Sequence, residues 1–254
     1  MRTKADIDLL IAEQDVAQVK QIFSQQGYFN PRGWEPKTII NQFSQRKILS
    51  ENLNVDFDIH VKISNNKRLE NILSLEQLLE HSLTHKETGG QLVGFVHAML
   101  HAIFHLMNHR HHGDLIKLIW YYDIYLLSKK LDEEEKNDFL KLVNASGLAK
   151  VAIKALELTT EYFDTPYIDN LIAALDPATA TAEFDSLMYI NDKNTLLRES
   201  FTNHSSLKQK WLLIKETAFP PPAEIYAKYD RETKQPILVL YVRRILGGVI
   251  KHFK

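Results

Sequence analysis

The sequence contains no cysteine. A disulfide framework and a thiolate metal site are therefore both excluded, and reducing cytoplasm is the expected compartment. It also lacks an apolar stretch near the roughly 20 residues that span a bilayer. The N-terminus is charged and then strand-like, which does not read as a signal peptide. An excess of charge of one sign is missing as well. The formal net charge is −1, so the molecule as a whole makes no electrostatic case for nucleic acid. No internal repeat and no low-complexity tract interrupts the chain.

What remains is an ordinary globular composition, 44 % apolar and 25 % charged, in 254 residues, enough for a sizeable core. Ile7 to Ala12 reads as a short, buried strand. A helix follows, with Asp15 as N-cap, Val16, Val19, Ile22 and Phe23 on one face, and Gly27 as its stop. A strand near Ile48 and Leu49 turns at "SENLN" into "VDFDIHVKI", which alternates strictly from Val55 to Ile63. Together these predict a small mixed sheet with a helix packed across it. From about Leu69 the period becomes helical. A break at "KETGGQ" separates one helix from a long one over about Val93 to His109, and Asp132 opens a later helix with an acidic first turn. Pro177 to Asn194 has the least pattern, and "FPPP" forces a turn before a terminal helix starting near Pro236. The expected class is α+β, with an α+β core over residues 1–68 and a helical lobe over residues 69–254.

The chemistry concentrates in carboxylates. Residues i and i+2 of a strand share a face, so Asp6 and Asp8 project together, as do Asp56, Asp58 and His60 from the alternating strand. Carboxylates converging across two strands repel one another, and in a partly buried site leaving them unpaired is costly. A hard divalent cation relieves that repulsion, and Mg²⁺ takes one or two carboxylates together with substrate phosphates. The competing reading is solvated charge at a strand end.

"RTKADIDLLIA", a helix, "QQGY", a hairpin and "DFDIH" resemble an uncharacterised family within the DNA-polymerase-β-type nucleotidyltransferase superfamily. Members carry an arginine before the paired aspartates, "GY" after the first helix and an Asp-x-His strand, then a helical lobe with a histidine and a later aspartate. The matching positions are Arg2, Asp6, Asp8, Gly27, Tyr28, Asp58, His60, His109 and Asp123. The resemblance implies transfer of a nucleoside monophosphate from NTP to an acceptor hydroxyl. Asp6, Asp8 and Asp58 would hold Mg²⁺ (or Mn²⁺), and Asp58 would help deprotonate the acceptor. Arg2 and His60 would stand near nucleotide or acceptor, and Asp56 competes with Asp58. The superfamily also places a glycine-containing turn, which cradles the triphosphate, one strand before the first aspartates. The sequence opens just before Arg2, so a truncated or shortened member is expected, with an exposed sheet edge. A catalytically inactive binding or scaffolding protein is accordingly the rival expectation.

Two further patterns stand apart. His97, His101, His105 and His109 recur at i+4, a stripe that drifts about 40° per step around a helix. Neighbouring pairs have the spacing of transition-metal ligands, but no Glu completes an H-E-x-x-H arrangement. A buried helix whose histidines bond to carbonyls or carboxylates is preferred, with Asp123 as a structural partner of His109 and His105 alongside. The terminal "PILVLYVRRILGGVIKHFK" is basic and amphipathic, and is expected to pack on the helical lobe with its basic face solvated.

Overall fold

The computed structural model describes residues 7–36, 40–51, 53–191, 193–229 and 235–252. The protein is α+β, a small mixed sheet followed by helices. It divides into two compact units, one of Met1–Lys67 with Glu199–Lys254 and the other of Arg68–Arg198.

In the first unit, β1 (Ile7–Leu10) lies parallel to β3 (Leu53–His60), and β2 (Gln42–Ser50) pairs antiparallel on the other side of β3. The order is β1-β3-β2. The hairpin residues follow from alternation: Phe43, Phe57 and Ile59 turn to one face, where Phe43 and Ile59 are buried. Helix α1 (Val16–Gln25) contributes Phe23, which meets Phe57 and Tyr28 edge-on at centroid distances of 5.0 and 5.1 Å. Gly27 ends the helix region with φ +80°, where a Cβ would be strained. That aromatic contact fixes which face of the sheet is dry, and so which face carries the carboxylates.

Two expectations fail here. β1 is not buried; it is the outer strand of the described sheet and Ile7 is 45 % exposed. An apolar run specifies a strand but not whether a neighbour covers it. Ile22 is likewise exposed rather than part of the packed face of α1.

The second unit is built around α3 (Phe95–His111), whose Met99, Leu100, Ile103, Phe104, Leu106 and Met107 are buried. A helix apolar over most of its girth belongs in a core, and this one packs against α4 (Leu118–Lys130), α5 (Glu133–Ser146) and α6 (Ala149–Thr160). Asp132 caps α5 through a reciprocal box with Glu135, as the acidic opening predicts. The unit is not purely helical. After α2 (Leu75–Glu80) the "KETGGQ" break forms the tip of a hairpin of β4 (Leu83–Thr84) and β5 (Gln91–Leu92). A helix not foreseen, α7 (Pro166–Ala174), starts at Thr165, whose hydroxyl accepts from Tyr167 N–H. The patternless stretch is also ordered into tight turns at Pro177–Thr179 and Ala182–Met188, with Phe184 and Leu187 buried. Arg68 donates to Glu183 O and Ser186 Oγ, and Arg110 donates to Met188 O at 2.7 Å, so guanidinium groups close the backbone that a helix ladder would otherwise satisfy.

Helix α8 (Lys193–Asn203) leads to α9 (Leu207–Ala218), α10 (Pro222–Tyr229) and α11 (Ile237–His252). The terminal helix departs from expectation. Leu240 is buried, Arg244 donates to Thr217 O at 3.0 and 2.8 Å, and Leu238, Val239, Val242, Ile245 and Leu246 are exposed. No described helix is long and apolar enough to cross a membrane.

Candidate functional site

The polar face of the three-stranded sheet gathers the candidate residues by register alone. Asp8 stands directly beside Asp58, and Leu10 beside His60. On the other side of β3, Ser44 opposes Asp58, Arg46 opposes Asp56 and Gln42 opposes His60. Adjacent residues in register share a face, so Asp8, Asp56, Asp58 and His60 lie on one surface with Ser44 and Arg46. Asp6 and Arg2 lie outside the described residues.

Each described carboxylate has a different partner. Asp58 Oδ1 accepts from Ser44 Oγ at 2.5 Å. Asp56 is gripped at both oxygens by Arg46, with Nε to Oδ1 at 2.6 Å and a second guanidinium nitrogen to Oδ2 at 3.2 Å. That hydrogen bond holds the Arg46 guanidinium above its ordinary value, against the opposing effect of burial. Asp8 Oδ1 lies 3.3 Å from His60 Nε2. Asp56 and Asp58, competitors when read from spacing, thus differ sharply. Both oxygens of Asp56 are committed to a cation of the chain itself, whereas Asp58 faces a neutral hydroxyl. Ser44 and Arg46 were missed from sequence. Their i, i+2 spacing in "QFSQRKILS" signals a shared face, but the register that sets them opposite Asp58 and Asp56 is not visible in a one-dimensional pattern.

The desolvation argument for a cation does not hold for Asp8. Its side chain is 74 % exposed, so water already screens its charge. Juxtaposition with Asp58 remains, and two hard oxygen donors side by side suit Mg²⁺ or Mn²⁺, which keep several waters beside one or two carboxylates. Among the described residues no group of three or more His, Asp or Glu is placed to hold a metal ion. A cavity of about 150 Å³ opens beside this face, at β2, with Arg32, Trp34, Gln42, Ser44 and Asn65 in its wall. Asn30 Oδ1 shapes its rim by accepting from Arg32 N and Gly33 N, and Asn65 donates to Gln42 Oε1 at 2.7 Å.

The histidine stripe belongs to the other unit. His101, His105 and His109 are half-buried on α3, with ring centroids 5.8 and 4.5 Å apart, and Trp120 of α4 lies against His105 and His109. His109 Nδ1 is 2.7 Å from Asp114 Oδ2, an acidic neighbour in the loop that the sequence reading did not name; Asp123 is half-buried on α4. His97 is buried and stacked on His81, and both burial and the His81 charge lower its basicity. An imidazole buried neutral binds fewer protons folded than unfolded, so stability is full above the ordinary histidine value and is lost as pH falls below about 6.5. Thermal melts across that value should show the decline, and it should flatten in His97→Gln, which cannot titrate.

No curated protein and no solved structure matches the chain. A family model described as an uncharacterised nucleotidyltransferase does match, over residues 1–164, which takes in the whole sheet, both described aspartates of the pair and the histidine helix. That stretch is well over half of the sequence, so the chain belongs to this nucleotidyltransferase family, and nucleotidyl transfer is its function in general terms.

Proposed function

We propose that the protein is a metal-dependent nucleotidyltransferase that moves a nucleoside monophosphate from NTP to an acceptor hydroxyl. The observation that carries the reading is the in-register pairing of Asp8 with Asp58 on the solvent face of the sheet, in a chain of this family. Asp8 and Asp58 would be protein ligands to Mg²⁺ or Mn²⁺, together with Asp6. The ion would neutralise phosphate charge and make the acceptor hydroxyl more acidic.

The chain's own residues do the rest. The Asp58 carboxylate takes the proton as the acceptor oxygen bonds to the α-phosphorus and the bond to the bridging oxygen breaks, releasing pyrophosphate. Ser44 holds that carboxylate at one oxygen and leaves the other available. His60, beside Asp8, restrains the orientation of the exposed carboxylate. Arg46 neutralises Asp56, lowering the negative potential that would otherwise repel a triphosphate. Ser44 also lines the cavity at β2, so an acceptor lodged there would be one hydrogen bond from Asp58. Nucleotide supply and the lack of cysteine both favour the cytoplasm as the place of reaction.

Titration calorimetry tests the binding half of this reading. Each NTP in turn should bind saturably in the presence of Mg²⁺, and both chelator and Asp8→Ala should remove the heat. Binding that ignores Mg²⁺, or that Asp8→Ala leaves intact, refutes it.

A further inference from the structure

The charge of the chain is unevenly spread. From His204 to Lys254 there are ten lysines and arginines against four acidic residues, while the preceding part carries 21 against 28. A near-neutral total therefore hides a basic C-terminal segment, and this segment exposes apolar surface. On α9, Leu207, Trp211 and Ile214 fall at i, i+4 and i+7, one stripe of the helix, and are 85, 61 and 56 % exposed. Helical geometry sets Lys208 and Lys215 along one flank of that stripe and Lys210 along the other. Lys215 Nζ lies 5.5 Å from the Trp211 ring centroid, its stem along the aromatic face. The only acid of the helix, Glu216, lies on the opposite side with buried Leu213. On α11, the exposed Leu238, Val239, Val242, Ile245 and Leu246 likewise form one face, with exposed Arg243 at its margin.

We infer that α9 and α11 form a docking surface for the face of an anionic lipid bilayer. An apolar stripe with an indole, bordered on both sides by lysines, matches the interface between acyl chains and headgroups: the stripe enters, and the ammonium groups reach the phosphates. A groove of another protein would favour the stripe but gives no reason for cations on both flanks. Nucleic acid would favour the cations but not an aliphatic stripe interposed between them. Neither helix is long and apolar enough to span, so the attachment proposed is peripheral. This inference is independent of the carboxylate site.

Sedimentation of the full chain with vesicles tests it, using phosphatidylcholine alone and phosphatidylcholine with phosphatidylglycerol. Binding to the anionic vesicles is expected, weakened by salt, with a blue shift in tryptophan emission. Replacing Lys208 and Lys215 together by glutamine should weaken it about thirtyfold, from roughly 1 kcal/mol per basic residue at such a surface. Trp211→Glu on α9 and Val242→Glu on α11 should each abolish it, and binding that survives Val242→Glu overturns the part assigned to α11. These are surface positions, and circular dichroism verifies that the variants remain folded. Absence of vesicle binding overturns the inference. So does binding that survives Trp211→Glu, a duplex or single-strand competitor that binds equally well to the Trp211→Glu variant, or a dimer that Trp211→Glu dissociates.

Discussion

Asp58→Asn is expected to slow nucleotidyl transfer by about 10²–10⁴-fold, the usual contribution of a positioned general base. Asparagine keeps the shape and can still accept from Ser44 Oγ, which sits 2.5 Å from Asp58, so the sheet should fold unchanged. What disappears is a carboxylate that can take a proton or share a cation. Asp56→Asn is the informative partner variant. Asp56 is paired bidentately with Arg46, the two side chains being 21 and 38 % exposed, and losing a partly exposed pair of this kind costs on the order of 1 kcal/mol. Its transfer rate should remain near that of the parent. The measurement is incorporation of label from α-labelled NTP into whichever cellular fraction accepts it. Equal losses in the two variants would mean that the shared face, and not Asp58, carries the chemistry. No loss in either would end the assignment of a base to β3.

The contrast between these aspartates shows how much could be read in advance. Alternation in "VDFDIHVKI" put Asp56, Asp58 and His60 on one face, and the structure has the same arrangement because a period of two leaves no other choice within a strand. Pairing between strands is another matter. That Asp8 meets Asp58, and Ser44 and Arg46 meet Asp58 and Asp56, depends on the parallel and antiparallel registers, and the latter is interrupted by an irregularity between Ile48 and Ser50. Environment was legible only in part: "IDLLIA" by its composition reads as buried, and it was the resemblance that implied an exposed edge, where Ile7 and Asp8 sit open to water in the described sheet. In the helical unit, strong periodicity made α3 legible, and the cap Asp132 with its acidic first turn did the same for α5. The β4–β5 hairpin, with strands of two residues, and the turns of 177–188 carry no such period. The hairpin is held by its own short pairing, and the turns by long-range donors, Arg68 and Arg110, whose partners lie far along the chain.

Gly94→Ala should be among the most disruptive single-methyl substitutions in the second unit. Gly94 has an ordinary extended backbone, φ −62° and ψ 153°, so conformational freedom is not what glycine provides. It provides absence of volume: a Cβ there would overlap the backbone carbonyl oxygen of His81, well inside contact distance. A flexible side chain could move aside, but this obstacle is main chain, and it is tied down on both sides. His81 follows the capped helix α2, its ring stacks on His97 one turn into α3, and the β4–β5 pairing joins the two segments between them. Gly94 O also receives the first helical hydrogen bond of α3, from Ala98 N–H at 2.9 Å. Relieving the overlap therefore shifts either the start of the central core helix or the hairpin packed before it. Overpacking of this kind costs typically 1–3 kcal/mol, and the upper part of that range is expected where backbone must yield. Urea unfolding should show the midpoint falling accordingly, whereas Gly90→Ala, whose Cβ would meet only the Thr88 hydroxyl at 3.3 Å, should barely change it. If the two alanine variants proved equally stable, the close approach of His81 to the N-terminus of α3 would not be a feature of the folded protein.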